Sequence, residues 1–291
     1  MRTIITAFLL FFASQLTAQN SIYRQPVSTP QDRAVYNILN QNVGDTWGNT
    51  WNVGSAKKLQ GSLYLLEVWL TMPGTTWDYN EMCVVQGKIN SAVEWLTNTA
   101  ARYGKRLDVT QGTYAGDGYK GIPISGLPKS YAEACNSGNL LVRALNIIGY
   151  SDMMACYNQL HDDMQCSNVA VLIIINNNGW SCANQYSTAH TLYGYESYFL
   201  ENAFIFRTVD GVPCSSQTIA HELLHLFGAW DMYEPQVSAA AAGWARTYYP
   251  NEIMLTISKP LEEQTISPLT AWLTGLSTSY QDWYMYFKRV E

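Results

Sequence analysis

Seven apolar residues in unbroken succession, VAVLIII (169–175), are the strongest constraint on how this chain can fold. A strand with one wet face alternates apolar and polar side chains, because successive residues point to opposite faces. A run without interruption, rich in β-branched residues, must be covered on both sides, as inside a mostly parallel sheet sandwiched between helices. It is too short to cross a bilayer, which takes about 20 apolar residues. NNNGW follows it as a turn signal, so 168–176 reads as the central strand.

The neighbouring segments supply the rest of such a sheet. SLYLLEVWL (62–70) reads as a buried strand, and 81–103 keeps a helical apolar period at 82, 85, 89, 92, 93, 96 and 100. RLDVTQ (106–111) is a second strand. Residues 112–130, with Gly116, Gly118, Gly121, Pro123, Gly126 and Pro128, form a long irregular loop. NLLVRALNIIGY (139–150) is helical, and ESYFLENAFIFRTV (196–209) is strand material broken near Glu201 and Asn202, an edge strand and its neighbour. Strand and helix alternate, which predicts an α/β fold with a mostly parallel sheet. Beyond residue 231 the pattern gives a loop, then NEIMLTIS, then helical pieces near 267–275 and 279–289, read as a small C-terminal subdomain.

The first residues, MRTIITAFLLFFASQLTAQN, combine Arg2 with a short apolar stretch and small residues around Ala18. That pattern predicts a cleaved export signal over 1–18 rather than a spanning helix, and a secreted or periplasmic protein. Loss of Arg2 takes Lys+Arg from 17 to 16 against 23 Asp+Glu, a net charge of −7. An acidic chain without a basic cluster suits neither nucleic acid nor an anionic membrane surface. Six cysteines (Cys83, Cys135, Cys156, Cys166, Cys182 and Cys214), none in a Cys-x-x-Cys pair, favour disulfides in an exported protein.

The chemistry concentrates in HELLHLFGAWD (221–231). Ser215, Ser216 and Thr218 follow Pro213 as a helix start, and nothing breaks the helix from Thr218 to Phe227. His221 and His225, four apart, stand one turn above each other on one face and can grip one ion. Glu222 is rotated about 100° from His221, near the ion without ligating it, where it can take a proton from a water. Gly228 can turn the chain back in a left-handed conformation, which brings Asp231 round as a third ligand. Two imidazoles and one carboxylate leave a fourth position open, as a catalytic zinc site requires. A purely structural helix would have to bury two imidazoles and a carboxylate among Ile219, Leu223 and Leu226 at considerable cost.

HELLHLFGAWD resembles the metzincin zinc-protease motif, with Asp231 in place of the usual third histidine, a variant similar to the snapalysin-type enzymes. Met254 in PNEIMLTIS resembles the methionine turn beneath the metal in that clan. The resemblance implies a twisted, mostly parallel sheet with an antiparallel edge strand, an active-site helix and a smaller helical subdomain. It implies an upper subdomain to about 231 and a lower one over 232–291, within a protease domain spanning 61–291. Residues 19–60 have no counterpart and stand as a segment of unknown role. The activity implied is a zinc-dependent metalloendopeptidase acting on protein or peptide substrates, with Glu222 as general base.

Two alternatives stay open. Glu252, 27 residues after His225, could be the third ligand, as in gluzincins, although Gly228 and Asp231 would then go unexplained. Zinc could instead be structural in a glycan- or protein-binding module, which the 20 Tyr and 10 Trp would suit. Among the other residues, Tyr233, Tyr248 and Tyr249 are candidates to steady an oxyanion. His161, in the charged loop HDDMQC, and His190 read as surface histidines, and the carboxylates around Asp117 are too sparse for calcium.

Overall fold

VAVLIII becomes β4 (Asn168–Asn178), and all seven of its residues are fully buried. The computed structural model describes residues 54–128, 138–184 and 200–287. The expected export signal, most of 19–60, Cys135 and His190 lie outside them.

β4 is the middle strand of the order β2-β1-β4-β6-β5, with β1 at Gly61–Thr71, β2 at Leu107–Tyr114, β5 at Cys182–Asn184 and β6 at Asn202–Val209. β2, β1, β4 and β6 pair in parallel, and β5 runs antiparallel at the edge. Two short strands add to this frame, β3 (Ile122–Pro123) beside β1 and β7 (Val212–Pro213) beside β6. Among the described residues the antiparallel edge strand is the three-residue segment after NNNGW, and the first part of the expected strand material, 196–199, lies outside the described residues. Leu200 and Glu201 precede the strand, and 185–199 lie outside the described residues.

The connection from β1 to β2 crosses the sheet one way and that from β2 to β4 the other, so right-handed crossovers require helices on opposite faces. On one face lies α1 (Tyr79–Arg102), which packs with Leu63, Leu65, Trp69, Leu172 and Ile174. On the other lie α2 (Gly138–Ile148) and α3 (Met153–Met164), against Leu66, Val68, Val171 and Ile173. His161 belongs to the last turn of α3, where the charged run HDDM is the wet face of a helix rather than a loop. Its imidazole is 42% exposed and pairs with Asp162.

After β7 the chain returns to the α1 face as α4 (Ser216–Leu226). Three further pieces extend the same core layer: α5 (Ala239–Tyr248), α6 (Pro268–Leu273) and a 3-10 turn at Asp282–Phe287. α5 falls where the sequence reading expects a loop. Its buried side is made of Ala241, Ala242 and Ala245, too small to register as a helical apolar stripe.

Residues 54–60, assigned by sequence to the segment of unknown role, are part of this fold. Ser55, Ala56 and Leu59 are buried. Ala56 N donates to Glu201 Oε2 (2.6 Å), and Glu201 N donates to Ser55 Oγ (2.9 Å). Leu59 N reaches the carbonyl of Thr274 at 2.9 Å, which ties this strap to the end of α6. The expected disulfides are not found among the described residues. Cys214 packs on the α1 face and Cys156, Cys166 and Cys182 on the other, so the sheet parts Cys214 from those three, while Cys83 is exposed on α1. Among the described residues, no helix is long and apolar enough to cross a membrane.

Candidate metal centre

α4 starts where the sequence signals it. Ser215 is the N-cap, and its hydroxyl accepts from Thr218 N at 3.1 Å. The end is set by Gly228, whose φ of 94° is strained for any residue with a Cβ. Gly228 N donates to His225 O (2.9 Å) and Ala229 N to Leu224 O (3.1 Å), the paired bonds of a Schellman turn. This reversal returns the chain past the helix end and delivers Asp231 to the two imidazoles.

The three expected ligands meet. Asp231 Oδ1 lies 3.2 Å from His221 Nε2 and 3.2 Å from His225 Nε2, and the two Nε2 atoms are themselves 3.2 Å apart. All three side chains are about nine-tenths buried. His221 Nδ1 sits 3.0 Å from the carbonyl of Ile253, and His225 Nδ1 2.8 Å from that of Ala229. A carbonyl can only accept, so both Nδ1 atoms carry the hydrogen and both neutral rings turn an Nε2 lone pair inward. Asp231 Oδ1 is buried and receives no hydrogen bond.

With both rings neutral, three electron pairs face one another there, a repulsion that a metal cation, or a proton shared between His221 and Asp231, relieves. The spacing suits zinc: ligand atoms about 2.0–2.1 Å from a tetrahedral ion stand about 3.3–3.4 Å apart. Among the described residues, His221, His225 and Asp231 are the one group of three or more such side chains close enough to share a metal. A proton competes for the same point. Burial alone would lower the His221 pKa, but Asp231, Glu222 and the Ile253 carbonyl outweigh it and push it up to about 9. Burial would raise Asp231, yet the flanking imidazoles hold its carboxyl well below the usual carboxylate range.

Glu222 is buried beside the ligands and outside the triangle. Burial raises its pKa above the ordinary carboxylate value, against the pull of His221 and His225 and with the help of Asp231. Among the described residues, no side chain or amide donates to its carboxylate, so it is available to accept a proton from a reactant.

Glu252, the alternative third ligand, is fully buried and turned away to other partners. Its Oε1 accepts from Met254 N at 3.1 Å, and its Oε2 accepts from Ser267 N. Met254 is buried in the turn whose preceding carbonyl holds His221. Of the three candidate tyrosines, Tyr233 is at the site, its half-buried ring tilted against His221 at a centroid distance of 6.4 Å. Tyr248 and Tyr249 pack instead on Trp244, at 4.8 and 5.7 Å. Asp117 is exposed in a short 3-10 turn. The backbone acceptors at Ala229 and Ile253 are invisible to a reading of side-chain types, because any residue can supply a carbonyl.

α4 packs against α1, β6 and the antiparallel edge strand β5. No family model, curated protein or solved structure matches the chain.

Proposed function

We propose that this chain is an exported zinc-dependent metalloendopeptidase of the metzincin type, with His221, His225 and Asp231 as ligands. The observation that carries the reading is Asp231 Oδ1, buried without a hydrogen bond and 3.2 Å from both imidazole Nε2 atoms. Bound zinc supplies Lewis acidity for a peptide carbonyl and lowers the pKa of a water. The chain's own residues supply the proton traffic. Glu222, with its raised pKa and open carboxylate, takes the proton of the attacking water and returns it to the leaving amine. Tyr233, whose ring lies beside His221, is the tyrosine this reading assigns to the oxygen on which charge develops.

Two features of the fold support the same reading. The mostly parallel sheet ends in an antiparallel strand, β5, which flanks α4 and suits main-chain pairing with an extended peptide. The turn containing Met254 lies directly behind His221 through the Ile253 carbonyl, as the metzincin resemblance leads one to expect.

The test is cleavage of internally quenched peptides with blocked termini by wild type and Glu222→Gln at equal zinc content. Glutamine keeps the size of the side chain and cannot act as a base, so cleavage should fall roughly 10²–10⁴-fold while zinc stays. Zinc in both proteins with cleavage in neither would make the metal structural and the chain a binding module.

A further inference from the structure

Glu252 is a fully buried acid that the proposed chemistry leaves unused. Its two oxygens meet two different backbone amides, Met254 N and Ser267 N, and Ser267 is the N-cap of α6. Ile253 N adds a bond to Thr265 O at 3.0 Å, so the turn over residues 252–255 is fixed to the segment leading into α6. Two successive carbonyls of this turn face the metal centre. Ile253 O receives His221 Nδ1 at 3.0 Å, and Met254 O receives the amide of Met232, the residue after Asp231, at 2.8 Å.

We infer that Glu252 is a positioning residue for the metal centre, setting through one turn the orientation of two of its three ligands. The direction of an imidazole lone pair follows from the acceptor that holds its other nitrogen. Here that acceptor is the carbonyl of the residue next to Glu252, and the acceptor steadying the Asp231 backbone is the residue after that. A carboxylate suits this position because both converging groups are donors and both of its oxygens accept. Glutamine has the same shape but turns an NH2 group toward one of the two amides, so one bond is lost and a donor faces a donor.

This inference rests on the metal reading above, and the experiment separates the two. The full chain is titrated with Co(II), followed by its visible absorption, as wild type, Glu252→Gln and Leu273→Ala. Leu273 is a buried residue of α6, so its truncation loosens the same helix without touching the carboxylate. Glu252→Gln should bind Co(II) about 10–100-fold more weakly than wild type, the range seen when partners of metal ligands are removed. Its Co(II) spectrum should change, since the ligand orientations change. Leu273→Ala should lower Tm and keep both affinity and spectrum. Equal affinity and an unchanged spectrum for folded Glu252→Gln would overturn the positioning role and leave the metal site standing. Failure of the wild type to bind Co(II) would overturn the metal reading and the positioning role together. If Glu252→Gln does not fold, Glu252→Asp, which keeps the charge and withdraws the carboxylate by one methylene from both amides, is judged by the same two criteria.

Discussion

His225 donates its Nδ1 hydrogen to the carbonyl of Ala229 across 2.8 Å. His225 therefore braces the turn that carries Asp231, since Ala229 lies between Gly228 and Asp231. Motif spacing and turn geometry are one device here: moving Asp231 by a single residue would separate the brace from the ligand it serves.

One zinc ion per chain is expected, and Asp231→Ala should weaken its binding by more than about 100-fold, beyond the range for residues that only orient ligands. Metal analysis after dialysis against a graded chelator series measures this directly. Undiminished zinc in that variant would remove Asp231 from the site.

Zinc competes with a proton held between His221 and Asp231. Because the metal-free His221 pKa is pushed up to about 9, its imidazole carries the proton at pH 7. Binding at pH 7 should release about one proton, and apparent affinity should fall about tenfold per unit as pH drops below 9. Calorimetry in buffers of different ionisation enthalpy counts the protons. A count near zero at pH 7 would mean that His221 is already neutral in the free protein.

Tyr233→Phe keeps the ring against His221 and deletes the hydroxyl. If the phenol serves the oxyanion, kcat should fall by about 10²–10³-fold with KM little changed, as for the loss of one such donor. Steady-state kinetics on a single quenched peptide decides, and a change confined to KM would assign Tyr233 to substrate binding.

Glu67 makes a separate prediction about stability. It is fully buried on β1, accepting from Gln86 Nε2 and Thr113 Oγ1 at 3.1 Å each, and burial pushes its pKa from 4.5 up to about 7. The folded state holds this proton more tightly than the unfolded state, so the contribution is fully present below pH 4.5 and is lost as pH rises through 7. The loss amounts to at most about 3 kcal/mol. Glu67→Gln, whose amide can accept from Gln86 and donate to Thr113, should flatten this slope and raise Tm by several degrees at pH 8. Melting curves at pH 5 and pH 8 test it; equal slopes in both proteins would place the titration elsewhere.

What the sequence revealed and what it hid divide along the range of the interactions involved. The convergence of His221, His225 and Asp231 was legible because helix periodicity and a left-handed glycine act within eleven residues, and β4 because burial on both faces leaves no polar positions. β5 was not, since three residues (Cys182, Ala183 and Asn184) show no alternation and become a strand only by pairing with β6. The strap was hidden too: GSAKKLQ is polar, and Ser55 and Ala56 are buried through distant partners, Val169 and Glu201, the latter 145 residues away from Ala56. Glu252 looked like a ligand because it is an acid at a tolerable spacing. Its actual partners, the amides of Met254 and Ser267, are backbone groups that spacing arguments do not see. The cysteine count could not show that the sheet parts Cys214 from Cys156, Cys166 and Cys182, because the face a sulfur occupies is set by long-range packing.

The bond from Leu59 to Thr274 joins nearly the first described residue to nearly the last. During synthesis, which proceeds at about 5–20 residues per second, β1 and α1 emerge long before anything exists to close the strap. The carbonyls that orient His221 and anchor the Asp231 backbone also arrive only with residues 253 and 254. A growing chain therefore carries His221 and His225 for some time before the proposed metal centre can be completed. On the protease reading proposed above this ordering has a use: the chain stays unarmed beside other nascent chains until residues 253 and 254 have been made.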